Sequence, residues 1–102
     1  MKVCAIIPTY NNAATLPAVV DDVRSFVSDI IVVNDGSTDG TGDFLRTLGD
    51  TLTVVSYPKN RGKGYALRQG FKAALQNGFD TAVTLDSDGQ HRASDIPTLL
   101  DC

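Results

Sequence analysis

Four short apolar runs, each followed at its carboxyl end by a polar segment, fix what this chain can fold into. Residues 2–7, 29–34, 52–56 and 81–86 read KVCAII, DIIVVN, LTVVS and TAVTLD. The runs are continuous rather than alternating, which is the pattern of strands covered on both faces in a parallel sheet. Helical spacing lies between them. After Thr15, a candidate N-cap, Leu16, Val19, Val20, Val23, Phe26 and Val27 recur on one face, with Pro17 in the first turn. A second helix is expected over about residues 41–48, with Phe44, Leu45 and Leu48 facing inward. A third covers about 64–77, with Leu67, Phe71, Ala74 and Leu75 as its buried stripe and Gly78 as its stop. A fourth starts at Ser94. The order βαβαβαβα predicts an α/β fold, Rossmann-like, with a mostly parallel four-stranded sheet. At 102 residues the chain is one domain at most.

Ligands of open parallel sheets bind outside the carboxyl ends of the strands. Here the segments at those ends are PTYNN (8–12), NDGSTDGTG (34–42), YPKNRGKG (57–64) and DSDGQH (86–91). The last is the sharpest. Side chains at i and i+2 of an extended chain share a side, so Asp86 and Asp88 present two carboxylates together. Such a pair repels itself unless a cation intervenes, and hard oxygen ligands suit Mg²⁺ or Mn²⁺. Gln90 can add an amide oxygen. Asp-x-Asp-Gly is equally good turn chemistry, so this motif alone leaves both readings open. Asp35 ends an apolar run and can accept the ring N–H of a uracil or a guanine. Asp39 or Thr38 reads as a helix cap. Arg61 and Lys63 lie among glycines ahead of a helix, where anions are favoured, although a solvated basic turn looks the same. Pro8, Thr9 and Tyr10 can wall a nucleotide pocket, or Tyr10 can simply pack. His91, the only histidine, reads as a surface or hydrogen-bonded residue.

Other signatures fail. Leu67 stands where a dinucleotide fingerprint after Gly62 and Gly64 needs glycine, and there is no Gly-Lys-Ser/Thr. The calcium-loop echo from Asp35 has Arg46 in place of its final glutamate.

The segments IIPTYNN, DIIVVNDGSTDGT, NRGKGYALRQGF and LDSDGQH, in that order, resemble family 2 glycosyltransferases of the GT-A fold. The DSDGQH form is most similar to the branch of polyprenyl- or dolichyl-phosphate sugar transferases. The resemblance runs from Val3 to about Leu100. It implies that Pro8, Thr9, Tyr10, Asp35, Lys63, Asp86, Ser87 and Asp88 bind a nucleotide sugar. Asp86, Asp88 and Gln90 would hold the divalent metal. The donor would be a UDP- or GDP-sugar, the acceptor a lipid phosphate or a glycan, and the transfer metal-dependent and inverting. Family members continue well beyond this motif. The expectation is therefore a donor-binding half of a longer domain, with acceptor site and general base beyond Cys102, inactive alone and prone to self-association through the face left open.

Two readings compete: a nucleotide- and metal-binding module without turnover, and a haloacid-dehalogenase-type phosphatase using Asp86 and Asp88. The latter normally carries its Asp-x-Asp on the first strand. A nucleotidyltransferase is disfavoured, because PTYNNAAT is not the glycine-rich basic loop expected after its first strand. Composition narrows the partners. All twelve acids are aspartate, and with nine Lys+Arg the net charge is −3, which argues against nucleic acid. No run approaches the ~20 apolar residues of a membrane span. Two cysteines read as free thiols in a reducing compartment, so the chain is expected to be cytoplasmic, with the whole protein at most at the cytoplasmic face of a membrane.

Overall fold

The structure is a computed structural model and describes residues 2–48 and 51–85. The elements are β1 (Val3–Thr9), α1 (Leu16–Arg24), β2 (Ile30–Asp35), α2 (Thr41–Thr47), β3 (Thr53–Tyr57), α3 (Lys63–Gln76) and β4 (Thr81–Thr84). All pairings are parallel and the strand order is β3-β2-β1-β4. The expected α/β sheet is therefore present. The fourth helix expected from Ser94 lies outside the described residues.

Strand alternation divides the core into two layers. Ala5, Ile7, Ile30, Val32, Val83 and Leu85 pack with Leu16, Val19, Val20 and Val23 of α1 and Leu45 of α2. Cys4, Ile6, Ile31 and Val33 pack on the opposite face with Ala66, Ala73 and Ala74 of α3. Each fully buried Ile or Val contributes roughly 1.5–3 kcal/mol.

Three expectations need correction. The run at 52–56 is not covered on both faces: β3 pairs with β2 alone, and its Val54 is exposed. Only the two central strands are buried throughout their length from Cys4 onward. The first helix stops at Arg24, where the N–H of Ser25 and of Phe26 reach back three residues to Asp22 and Val23, and Phe26 is left in solvent. The buried residues of α3 are Ala66, Gly70, Ala73 and Ala74; of the expected stripe Ala74 is buried, Leu67 and Phe71 pack partly buried against the same layer, and Leu75 is 76% exposed. Its small residues face the sheet because the helix sits very close. A Cβ at Gly70 would lie 2.4 Å from Ile6 Cγ2 and 3.3 Å from Val33 Cγ2.

Gly78 does stop α3. Its φ is +79°, its N–H donates to Leu75 O, and that of Phe79 donates to Ala74 O, the two bonds of a Schellman cap.

The strand order places the functional edge. The chain moves outward from β1 to β2 to β3, then returns over the sheet through α3 so that β4 pairs on the other side of β1. The direction thus reverses between β1 and β4, and crevices form at the carboxyl end of such a reversal. Pro8 fits that place. The Ala5 N–H donates toward β2, to Asp29 O, and Ile6 O accepts from Leu85 on the β4 side. Backbone groups alternate sides, so Pro8 turns its missing donor toward β4, beyond Ile6↔Thr84, the last β1–β4 pair among the described residues.

Candidate functional site: the carboxyl edge of the sheet

Asp35 is the last residue of β2 and continues the alternation of Ile31 and Val33 toward α3. It is 3% exposed. Its Oδ1 accepts the Arg61 N–H at 2.8 Å, and its Oδ2 accepts the Gly62 N–H at 3.0 Å and Asn60 Nδ2 at 2.8 Å. Asn60 Nδ2 also reaches Asp35 O at 3.2 Å. Arg61 and Gly62 stand immediately ahead of α3, where a helix favours negative charge. Of the four acceptor sites of a carboxylate, three are thus occupied, and the buried Tyr57 hydroxyl lies beside the same carboxylate. Asp35 is both clasp and candidate contact, a combination the sequence did not reveal.

Gly36 makes the clasp possible. At φ +71° it lets the 58–62 loop pass so close that a Cβ would lie 2.3 Å from Asn60 N and 2.4 Å from Lys59 C. Only a residue without a side chain fits there.

Loops 8–12 and 34–42 are tied just as directly. Asn11 holds φ +52°, a conformation asparagine tolerates better than most residues. Its Oδ1 accepts the Thr38 N–H at 2.8 Å and the Asp39 N–H at 3.3 Å, and its own N–H donates to Ser37 Oγ at 3.0 Å. Asp39 Oδ2 accepts the Ala13 N–H at 3.1 Å, while its Oδ1 accepts the Thr41 N–H at 2.9 Å and the Thr41 hydroxyl at 2.5 Å. Those bonds, the Thr41 hydroxyl foremost, hold the Asp39 carboxyl below its ordinary 3.8. The residue in N-cap position is Gly40, so Asp39 caps α2 from one position earlier. Thr15 does occupy the N-cap of α1, but its side chain does not cap it.

The remaining expected residues distribute as follows. Pro8 and Thr9 are buried at the end of β1, and Tyr10 is 45% exposed just beyond. The Thr9 hydroxyl is buried without a hydrogen-bond partner among the described residues. Lys63 is exposed and opens α3. Asp86, Ser87, Asp88 and Gln90 lie outside the described residues. Leu85 directly precedes them, its N–H on Ile6 O of β1 beside the reversal. Among the described residues no three His, Cys, Asp or Glu side chains gather to hold a metal.

Three participants escaped the sequence reading: Asn60, Asn11 and Tyr57. Asn60, in the stretch Pro-Lys-Asn-Arg-Gly, signals a turn, and nothing in spacing shows that it reaches back 25 residues to Asp35. Tyr57 ends β3. Its hydroxyl is buried and makes no hydrogen bond of acceptable geometry among the described residues. Burial first, and then the neighbouring Asp35 carboxylate, push the phenol well above its ordinary 10. The Tyr57 ring meets Tyr65 edge-on at 5.2 Å, and the Arg61 guanidinium lies 5.6 Å over Tyr65.

Known proteins resemble this chain along most of its length. The chain is 39% identical to an undecaprenyl-phosphate mannosyltransferase of Micrococcus luteus, over 99% of this chain and 44% of that protein. It is 36% identical to a polyprenol monophosphomannose synthase of Mycolicibacterium smegmatis, over 98% and 40%. The chain thus spans less than half the length of either relative. Among solved structures, S. aureus TarS 1-349 in complex with UDP-GlcNAc matches with a TM-score of 0.72 and 26% identity, covering 86% of this chain and 27% of that one. No helix among the described residues is long and apolar enough to cross a membrane. The sequence pattern of the glycosyl transferase family 2 matches residues 4–101, nearly the whole chain, and the chain belongs to that family.

Proposed function

We propose that this chain is the donor-binding part of a glycosyltransferase that moves a sugar from a nucleoside-diphosphate sugar to a polyprenyl phosphate, with inversion. The observation that carries the reading is the Asp35 clasp: a buried carboxylate at the carboxyl edge, held by three N–H donors. Such a carboxylate can accept the ring N–H of uracil or guanine. Pro8, Thr9 and Tyr10, at the end of the neighbouring strand β1, would line the nucleotide site, and Lys63, which opens α3, would lie toward the diphosphate. The relatives named for polyprenyl-phosphate substrates support the acceptor class.

A divalent cation, Mg²⁺ or Mn²⁺, would take its ligands from Asp86, Asp88 and Gln90, and Ser87 would contact the donor. The oxygen donor set fits a hard ion. Such an ion offsets charge growing on the leaving nucleoside diphosphate. A phosphate acceptor, with a second pKa of ~6, needs little help to attack.

Calorimetric titration with UDP and GDP, with and without Mn²⁺, tests the proposal. Binding strengthened by Mn²⁺ in the parent chain, and indifferent to Mn²⁺ in Asp88→Ala, is expected. Absence of binding to either nucleotide refutes the donor site, and equal Mn²⁺ dependence in Asp88→Ala refutes the metal assignment.

A further inference from the structure

Charge is unevenly divided along this chain. Residues 51–79 hold five cations, Lys59, Arg61, Lys63, Arg68 and Lys72, and no acid, whereas the remainder sets four cations against twelve aspartates. All five cations are exposed. α3 lays its small residues on β1 and β2 and turns its other side to solvent. Arg68, Lys72 and Leu75, spaced by four and three, share one stripe of that outer side. Leu75 is the most exposed large apolar residue described. The side chains of Lys59, Arg68 and Lys72 make no hydrogen bond or ion pair among the described residues.

We propose that the outer face of α3, with the loop that precedes it, docks on an anionic lipid surface. A basic helix face with an exposed leucine is the pattern of a helix lying in a membrane interface, where cations meet headgroups and the apolar side chain enters the acyl boundary. Geometry agrees with it. α3 is about 21 Å long and starts at the carboxyl edge of the sheet, so a bilayer along it reaches that edge at Lys59, Arg61 and Lys63. An acceptor phosphate standing at the headgroup level then faces the donor site without leaving the membrane. This step rests on the reading of the acceptor as a lipid phosphate.

Co-sedimentation with vesicles tests the docking surface. The chain should bind vesicles of phosphatidylcholine with phosphatidylglycerol and not phosphatidylcholine alone, and salt should release it. Lys59→Gln and Lys72→Gln should each lower the partition coefficient about fivefold, and the double variant about twenty-fivefold. Equal binding to neutral vesicles, or a double variant that binds like the parent, overturns the proposal. So does self-association or RNA binding that the double variant loses while anionic vesicles go unbound; the face would then belong to a second copy or to nucleic acid. Unchanged thermal unfolding of the variants shows that they fold. UDP and GDP titration of the parent chain separates the two readings: nucleotide binding without binding to anionic vesicles refutes the docking surface alone, and vesicle binding without nucleotide binding refutes the donor site alone.

Discussion

The two edges of this one sheet are built differently. At the amino edge, the Lys2 N–H donates to Asp80 Oδ2 at 3.0 Å, the Lys2 ammonium reaches Asn77 O at 3.4 Å, and it lies 4.9 Å from the centre of the Phe79 ring. These contacts are exposed, and the positive φ at Gly78 serves only to end α3. A cavity of about 110 Å³ opens there, lined by Asp29, Ile30, Ile31, Thr51, Leu52, Thr53 and Phe79. Asp29 is the sole ionisable side chain in that lining. At the carboxyl edge, side chains of one loop satisfy backbone donors of another, and the backbone takes left-handed conformations at Asn11, Gly36 and Gly62 to let them meet. Among the described residues the convergent polar groups stand at the carboxyl edge and not around this cavity. Convergent groups decide function, because a hollow with one carboxylate can orient little.

That contrast can be broken most forcefully at Gly36. Gly36→Ala puts a Cβ into backbone at 2.3–2.4 Å and holds alanine at φ +71°. The 58–62 loop must then move and the Asp35 clasp opens. A loss of about 3 kcal/mol or more is expected in chemical denaturation, together with loss of UDP and GDP binding. A stability within 0.5 kcal/mol of the parent, taking that as roughly the surface-substitution range, would mean that the loop is not clasped.

Asp35→Ala comes next. It strands two backbone N–H groups and the Asn60 amide in a partly buried place. The expected cost is about 2–4 kcal/mol, with nucleotide binding lost. The matching change at the amino edge, Asp80→Ala, removes an exposed contact to Lys2 and should cost less than about 1 kcal/mol while leaving nucleotide affinity untouched. Equal losses at the two edges would erase the distinction between them.

The sequence shows the layers of this fold better than its edges. Continuous apolar runs located all four strands to within a residue or two, since burial on both faces of β1 and β2 demands such runs. Rules of the same kind centred the α3 stripe on its larger residues and put Leu75 inside, because they weigh leucine and phenylalanine above alanine and glycine. Close approach at Gly70 reverses that preference. At the site, Asp35 was legible as a carboxylate ending an apolar run. Its partners were not, because Asn60, Arg61 and Gly62 reach it through the β2–α2–β3 path, and a bond made by a backbone N–H leaves no mark on residue type. Asn11 looked like a turn residue and is one, but its side chain spends its acceptor on a second loop.

The smallest expected effect concerns the other tie at the carboxyl edge. Asp39 joins α2 to the first loop through Thr41 and Ala13, and its carboxyl titrates below the ordinary 3.8. A group whose pKa is lower folded than unfolded stabilises the fold at every pH above its unfolded value, and that contribution fades as pH falls through the folded one. Asp39→Asn keeps one oxygen acceptor and removes the titration. Urea denaturation from pH 7 down to about 2 should therefore show the parent ahead of Asp39→Asn at neutral pH, with the gap closing below about pH 4. Because Asp39 is exposed, the gap should be smaller than the loss from either change at Gly36 or Asp35. A gap that stays constant through the acid range would show that the charge of Asp39 does not hold these loops, and that its shape alone does.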